Sequence, residues 1–74
     1  MQQTARYDVV RMLDDAALRG WLPIDLIRAA APLSWTHGYR FLRGESQSPR
    51  VAEKLTRALG KRPGYYLLKR QAVA

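Results

Sequence analysis

Seventy-four residues make one domain, and a chain of this length buries only about 60% of the surface that it exposes when unfolded, so its core must be small. It has no cysteine and a single histidine, which removes disulfides, thiolate metal sites, cysteine nucleophiles and multi-histidine metal sites together. The net charge of +7 at pH 7 is unevenly spread: residues 1–27 hold three basic and four acidic side chains, residues 28–74 ten basic and two acidic. A basic stretch of this kind suits a polyanion, and nucleic acid first. The longest apolar runs fall far short of the roughly 18 residues needed to span a bilayer, and Gln2, Gln3 and Thr4 do not open a secretory signal. The expectation is a soluble cytoplasmic protein with no membrane partner.

Proline and glycine divide the chain into segments that each read as a helix. The first spans about 4–19, with Thr4 as N-cap, Gly20 as stop and Val9, Val10, Leu13, Ala16 and Ala17 as the apolar face. The second spans about 23–31; Pro23 suits a first turn, Asp25 complements the helix dipole, and Ile24, Ile27, Ala30 and Ala31 are apolar. Pro32 ends it, and Pro32-Leu33 reads as a tight connection to the third helix.

The third helix, about 34–43, opens on the N-cap Ser34 and stops at Gly44. At 100° per residue Trp35, Gly38, Tyr39 and Leu42 fall on one side, which reads as the packed face, and Thr36, His37, Arg40 and Arg43 on the other. Phe41 belongs to neither set, so periodicity leaves open which aromatic is buried. The fourth helix, about 49–59, has Ser48 as N-cap, Pro49 in its first turn and a face of Val51, Ala52, Leu55, Ala58 and Leu59 before Gly60. A fifth, about 64–71, begins with Tyr65, Tyr66, Leu67 and Leu68. The fold expected is all-α, a compact five-helix bundle in one domain.

The third helix carries the chemistry. Arginine can donate two hydrogen bonds to guanine in the major groove, so Arg40 is the first candidate for base contact, with Thr36 beside it and Arg43 near a phosphate. Each has an ordinary solvated helix face as its alternative. His37 reads as a phosphate contact or as a plain surface residue. Asp14 and Asp15, neighbours on a helix, point about 100° apart and cannot share a proton, so they read as a solvated face. Trp21, Leu22 and Tyr65 to Leu68 read as caps on the core, the last four alternatively as a dimer interface. No phosphate-cradling glycine loop, nucleophile–base pair or metal cluster is legible, so neither an enzyme, a cofactor nor a small-molecule ligand is expected.

The run Leu33-Ser34, Tyr39-Arg40-Phe41-Leu42-Arg43-Gly44, Ser48-Pro49 and Ala52-Glu53-Lys54-Leu55-Thr56-Arg57-Ala58-Leu59-Gly60 resembles the helix-turn-helix domains of the Cro and phage-repressor type. The resemblance, over about residues 8–60, implies a lambda-repressor-like bundle whose third helix enters the major groove of double-stranded DNA. It implies base contacts from Trp35, Thr36, Tyr39 and Arg40. It further implies phosphate contacts from the loop and the start of the fourth helix, at Ser46, Gln47, Ser48, Arg50 and Lys54, to which Ser34, His37 and Arg43 are added. The implied function is a transcriptional regulator, a repressor acting as a homodimer on a palindromic operator. The alternative is an antitoxin-like or phage-regulator module that holds a protein partner through Tyr65, Tyr66, Leu67 and Leu68. Three positions depart from the pattern: Gly38 replaces the usual branched anchor, Pro32 the turn glycine, and Arg28 a small residue.

Overall fold

Four helices form in the computed structural model, which describes residues 6–68: α1 (Val9–Leu18), α2 (Pro23–Ala29), α3 (Trp35–Leu42) and α4 (Pro49–Ala58). The domain is all-α, with four helices among the described residues and not five. Each helix starts where a side chain takes up a free amide. The Asp8 carboxylate accepts from Arg11 N at 3.1 Å, Ser34 Oγ from His37 N at 3.3 Å and Ser48 Oγ from Val51 N at 3.3 Å. On α2 the carboxylate of Asp25 reaches back to the amide of Leu22 at 2.8 Å. Helices α3 and α4 are followed by Gly44 and Gly60 at φ of 83° and 74°, a left-handed conformation that costs a residue with a Cβ about 1–2 kcal/mol.

The expected fifth helix is absent over its described part. Residues 63–66 form a turn, and Leu67 pairs antiparallel with Tyr7. Residues 6–8 and 66–68 are tied together: Asp8 N donates to Tyr66 O and Leu68 N to Arg6 O, both at 2.8 Å. The same pairing corrects the start of α1. Tyr7 takes part in the bridge and Asp8 is not helical, so the helix begins at Val9 with Asp8 as its cap; Thr4 and residues 69–71 lie outside the described residues.

The core is drawn from every helix. Met12 and Ala16 enter from α1, Leu26 and Ile27 from α2 with Ala30 behind it, Phe41 and Leu42 from α3, and Val51, Ala52 and Leu55 from α4 with Leu59 behind it. Tyr66 closes the group from the C-terminal turn at 1% exposure. Several sequence expectations are corrected here. Met12 takes the central place on α1, whereas Val10 and Ala17 face solvent; on α2 it is Leu26, and Ala31 lies outside the helix and exposed. Leu22 is exposed, while Trp21 is partly buried beneath the Arg19 guanidinium, 5.2 Å from the ring centre. Thr56 adds a buried hydroxyl to α4, satisfied by donation to Ala52 O at 2.7 Å.

Asp15 is likewise not a solvated carboxylate. It accepts the hydroxyl hydrogen bond of Tyr66, which latches the C-terminal turn onto α1. Burial, and then the Asp15 carboxylate, push the Tyr66 phenol far above its ordinary range.

Candidate nucleic-acid interface

Helix α3 is seated by three contacts. Phe41 packs against Tyr7 with ring centres 5.4 Å apart, Leu42 is buried, and Gly38 lies directly over Ile27 of α2. A Cβ on Gly38 would stand 2.9 Å from Ile27 Cγ1 and 3.1 Å from its Cγ2, so only glycine allows α3 to sit this close. Because the buried set is Gly38, Phe41 and Leu42, the packed face is turned by roughly 60° from the one that periodicity suggests. Trp35 and Tyr39 therefore leave the expected packed face and are exposed at 47% and 39%.

The outcome is a continuous outward surface on α3. Thr36, Arg40 and Arg43 form its crest, all three exposed. Along one flank the Trp35 and Tyr39 rings stack with centres 4.6 Å apart and planes at 26°, and the Arg43 guanidinium lies 5.9 Å from the Tyr39 ring centre. Arg43 also pairs with Glu45 at 3.3 Å, a bond between two well-exposed groups and hence weak. Arg40 makes no side-chain hydrogen bond or ion pair among the described residues, so its donors are open to solvent.

On the other flank a cleft opens between the start of α3 and the start of α4. Ser34, His37, Ser48, Arg50, Val51 and Lys54 line it, with Pro32 and Leu33 at one end. Arg50 is exposed there. The connection that feeds this cleft runs from Ala30 to Ser34, longer than the tight Pro32-Leu33 link expected, and contains a cis Ala31–Pro32 peptide. Lys54 Nζ donates to the Pro32 carbonyl, which ties α4 to the entry of α3.

Several of the phosphate-contact candidates have structural roles of their own. Ser34 and Ser48 cap α3 and α4. Ser46 Oγ accepts from Ser48 N at 3.3 Å, and Gln47 Oε1 accepts from the amide of Arg6 at 2.8 Å, holding the N-terminal segment. Of the four residues read alternatively as a dimer interface, Tyr66 is a core residue, while Tyr65, Leu67 and Leu68 are exposed. Sequence reasoning missed Ile27 and Tyr7 as the seat of α3. The glycine at position 38 was the available signal, since it is a poor helix former placed mid-helix and asks for a close approach.

Comparisons with protein-family models, with curated proteins and with solved structures find no significant match, so the reading of this surface rests on its geometry and charge.

Proposed function

We propose that the chain is a sequence-specific double-stranded DNA-binding protein of the helix-turn-helix, Cro-like type, with α3 as the helix that enters the major groove. The observation that carries this reading is Arg40: an unengaged guanidinium on the crest of a short exposed helix, between Thr36 and Arg43, in the part of the chain, residues 28–74, that holds ten basic side chains against two acidic ones. Such a donor fork matches the two acceptors of guanine in the major groove. Arg50 and His37, which line the cleft beside the crest, suit the flanking phosphates.

A helix of eight residues meets only a few base pairs, so specificity calls for two copies on a palindromic site about one helical turn apart. The exposed Tyr65, Leu67 and Leu68 offer apolar surface for that second copy. Occupying promoter DNA makes the proposed action a repressor's; no described helix is long and apolar enough to cross a membrane.

The test is equilibrium binding to duplexes selected from a random pool, with the wild type, Arg40→Ala and Arg57→Ala. Arg57 is exposed on α4 and already pairs with Glu53 at 3.2 Å, so it serves as the charge control. Arg40→Ala should weaken the selected duplex roughly tenfold or more and relax specificity at one base pair, while Arg57→Ala stays near the wild type. Affinity should fall with salt by about 0.9 logarithmic units per decade for each phosphate neutralised. Binding insensitive to salt, or equal loss in both variants, overturns the reading.

A further inference from the structure

The stacked pair on α3 has no role in the fold. Trp35 and Tyr39 are absent from the core and from the partly buried residues packed against it, yet they are held in a fixed mutual arrangement, with Arg43 one turn beyond. Exposing two large aromatics on a small basic domain is costly in solubility terms unless something covers them. What covers them must be anionic overall and apolar locally, because the crest beside them is cationic.

Two nucleic-acid features answer to that description, and the stack decides between them. A single strand binds by laying successive bases on open ring faces. Here each ring spends one face on the other, and the Arg43 guanidinium lies over the Tyr39 ring at 5.9 Å from its centre, so little open ring face is left for successive bases. The pair instead presents the sides of its rings as one apolar slab. In the major groove the apolar group on a base edge is the thymine 5-methyl.

We propose that Trp35 and Tyr39 read the methyl groups of two consecutive thymines lying beside the base pair addressed by Arg40. The spacing favours neighbours: the ring centres are 4.6 Å apart, closer to one base step of about 3.4 Å than to two. The recognised half-site thus joins a guanine to a TT step, and its aromatic flank discriminates against any base that lacks the methyl. This inference rests on the DNA-binding reading above and adds to it the chemistry of the bases recognised.

The experiment uses the wild-type protein and a duplex enriched from a random pool. Each thymine of that duplex is replaced in turn by deoxyuridine, which removes the methyl and leaves every hydrogen-bonding group in place. Two adjacent positions should each lose about fourfold in affinity, the value of one buried methyl, and the remaining thymines should be silent. In Trp35→Ala/Tyr39→Ala, whose altered side chains lie outside the core, thymine and deoxyuridine duplexes should bind alike. A flat deoxyuridine scan, an enriched site without adjacent thymines, or tighter binding of the single strand than of the duplex overturns this inference while salt-dependent duplex binding and the Arg40→Ala loss stand. Failure to enrich any duplex removes the DNA-binding reading and this inference with it.

Discussion

Gly38 of α3 sits over Ile27 of α2 so closely that a single added Cβ would stand 2.9 Å from Ile27 Cγ1. Small meets large at the junction that orients the outward face of α3, and the bulk comes from α2. The space that a branched side chain at position 38 would fill is occupied by Ile27. Gly38→Ala gains about 1 kcal/mol of helix propensity but must push a buried branched side chain, which costs about 1–3 kcal/mol. The expected net result is a loss of about 1 kcal/mol, with Gly38→Val worse. Adding Ile27→Ala to Gly38→Val should recover part of that loss. Urea midpoints measure it; a Gly38→Ala midpoint above the wild type would show that Ile27 has room to move.

Tyr66→Phe should cost about 1.5–3 kcal/mol, because the Asp15 carboxylate loses its hydroxyl donor while the ring's burial is retained. The pH dependence has a definite sign. The folded phenol titrates above its unfolded value near 10, so the folded state holds the proton more tightly, and this contribution is complete below pH 10 and fades as pH rises beyond it. The stability difference between the wild type and Tyr66→Phe should therefore shrink with rising pH above 10 and stay constant between pH 7 and 9. A difference that grows with alkalinity would contradict the latch.

Arg50→Ala should weaken duplex binding uniformly across sequences and reduce the salt slope by about one unit, as expected for one lost phosphate contact. Gln47→Ala separates structure from binding. Its amide oxygen holds the Arg6 amide at 2.8 Å, so the change should cost about 1 kcal/mol of stability and leave the salt slope as it was. Salt titrations of both variants beside thermal melts give the two numbers.

Arg19→Ala should lower stability by about 1–3 kcal/mol. Its guanidinium donates to the Leu59 carbonyl at 2.7 Å and covers the Trp21 ring, so one side chain joins the end of α1 to the end of α4. Arg19→Lys should keep only part of this, since an ammonium lacks the planar fork that meets both groups. Chemical denaturation ranks the three proteins; equal midpoints would deny the bridge.

The sequence by itself determined what is settled within a few residues. Ser34 and Ser48 as caps, Pro23 and Pro49 in first turns, and Gly44 and Gly60 as stops are local hydrogen-bonding and backbone preferences, and α2, α3 and α4 begin within a residue of where these place them. The charge asymmetry and the exposure of Thr36, Arg40 and Arg43 were legible in the same way, from composition and helical period.

Only the tertiary structure decided the rest. Tyr65 to Leu68 read as a helix start, yet the backbone partners of Tyr66 and Leu68 are Asp8 and Arg6, some sixty positions away, and pairing at that distance leaves no local trace. Asp15 looked solvated because its partner Tyr66 arrives from the far end of the chain. The rotation of α3 belongs to the same class: its eight residues offer two plausible apolar faces, and the contact of Gly38 with Ile27 selects one. Local propensity specifies where a helix starts and stops, whereas which way it faces depends on shape complementarity with a neighbour that the period alone does not name.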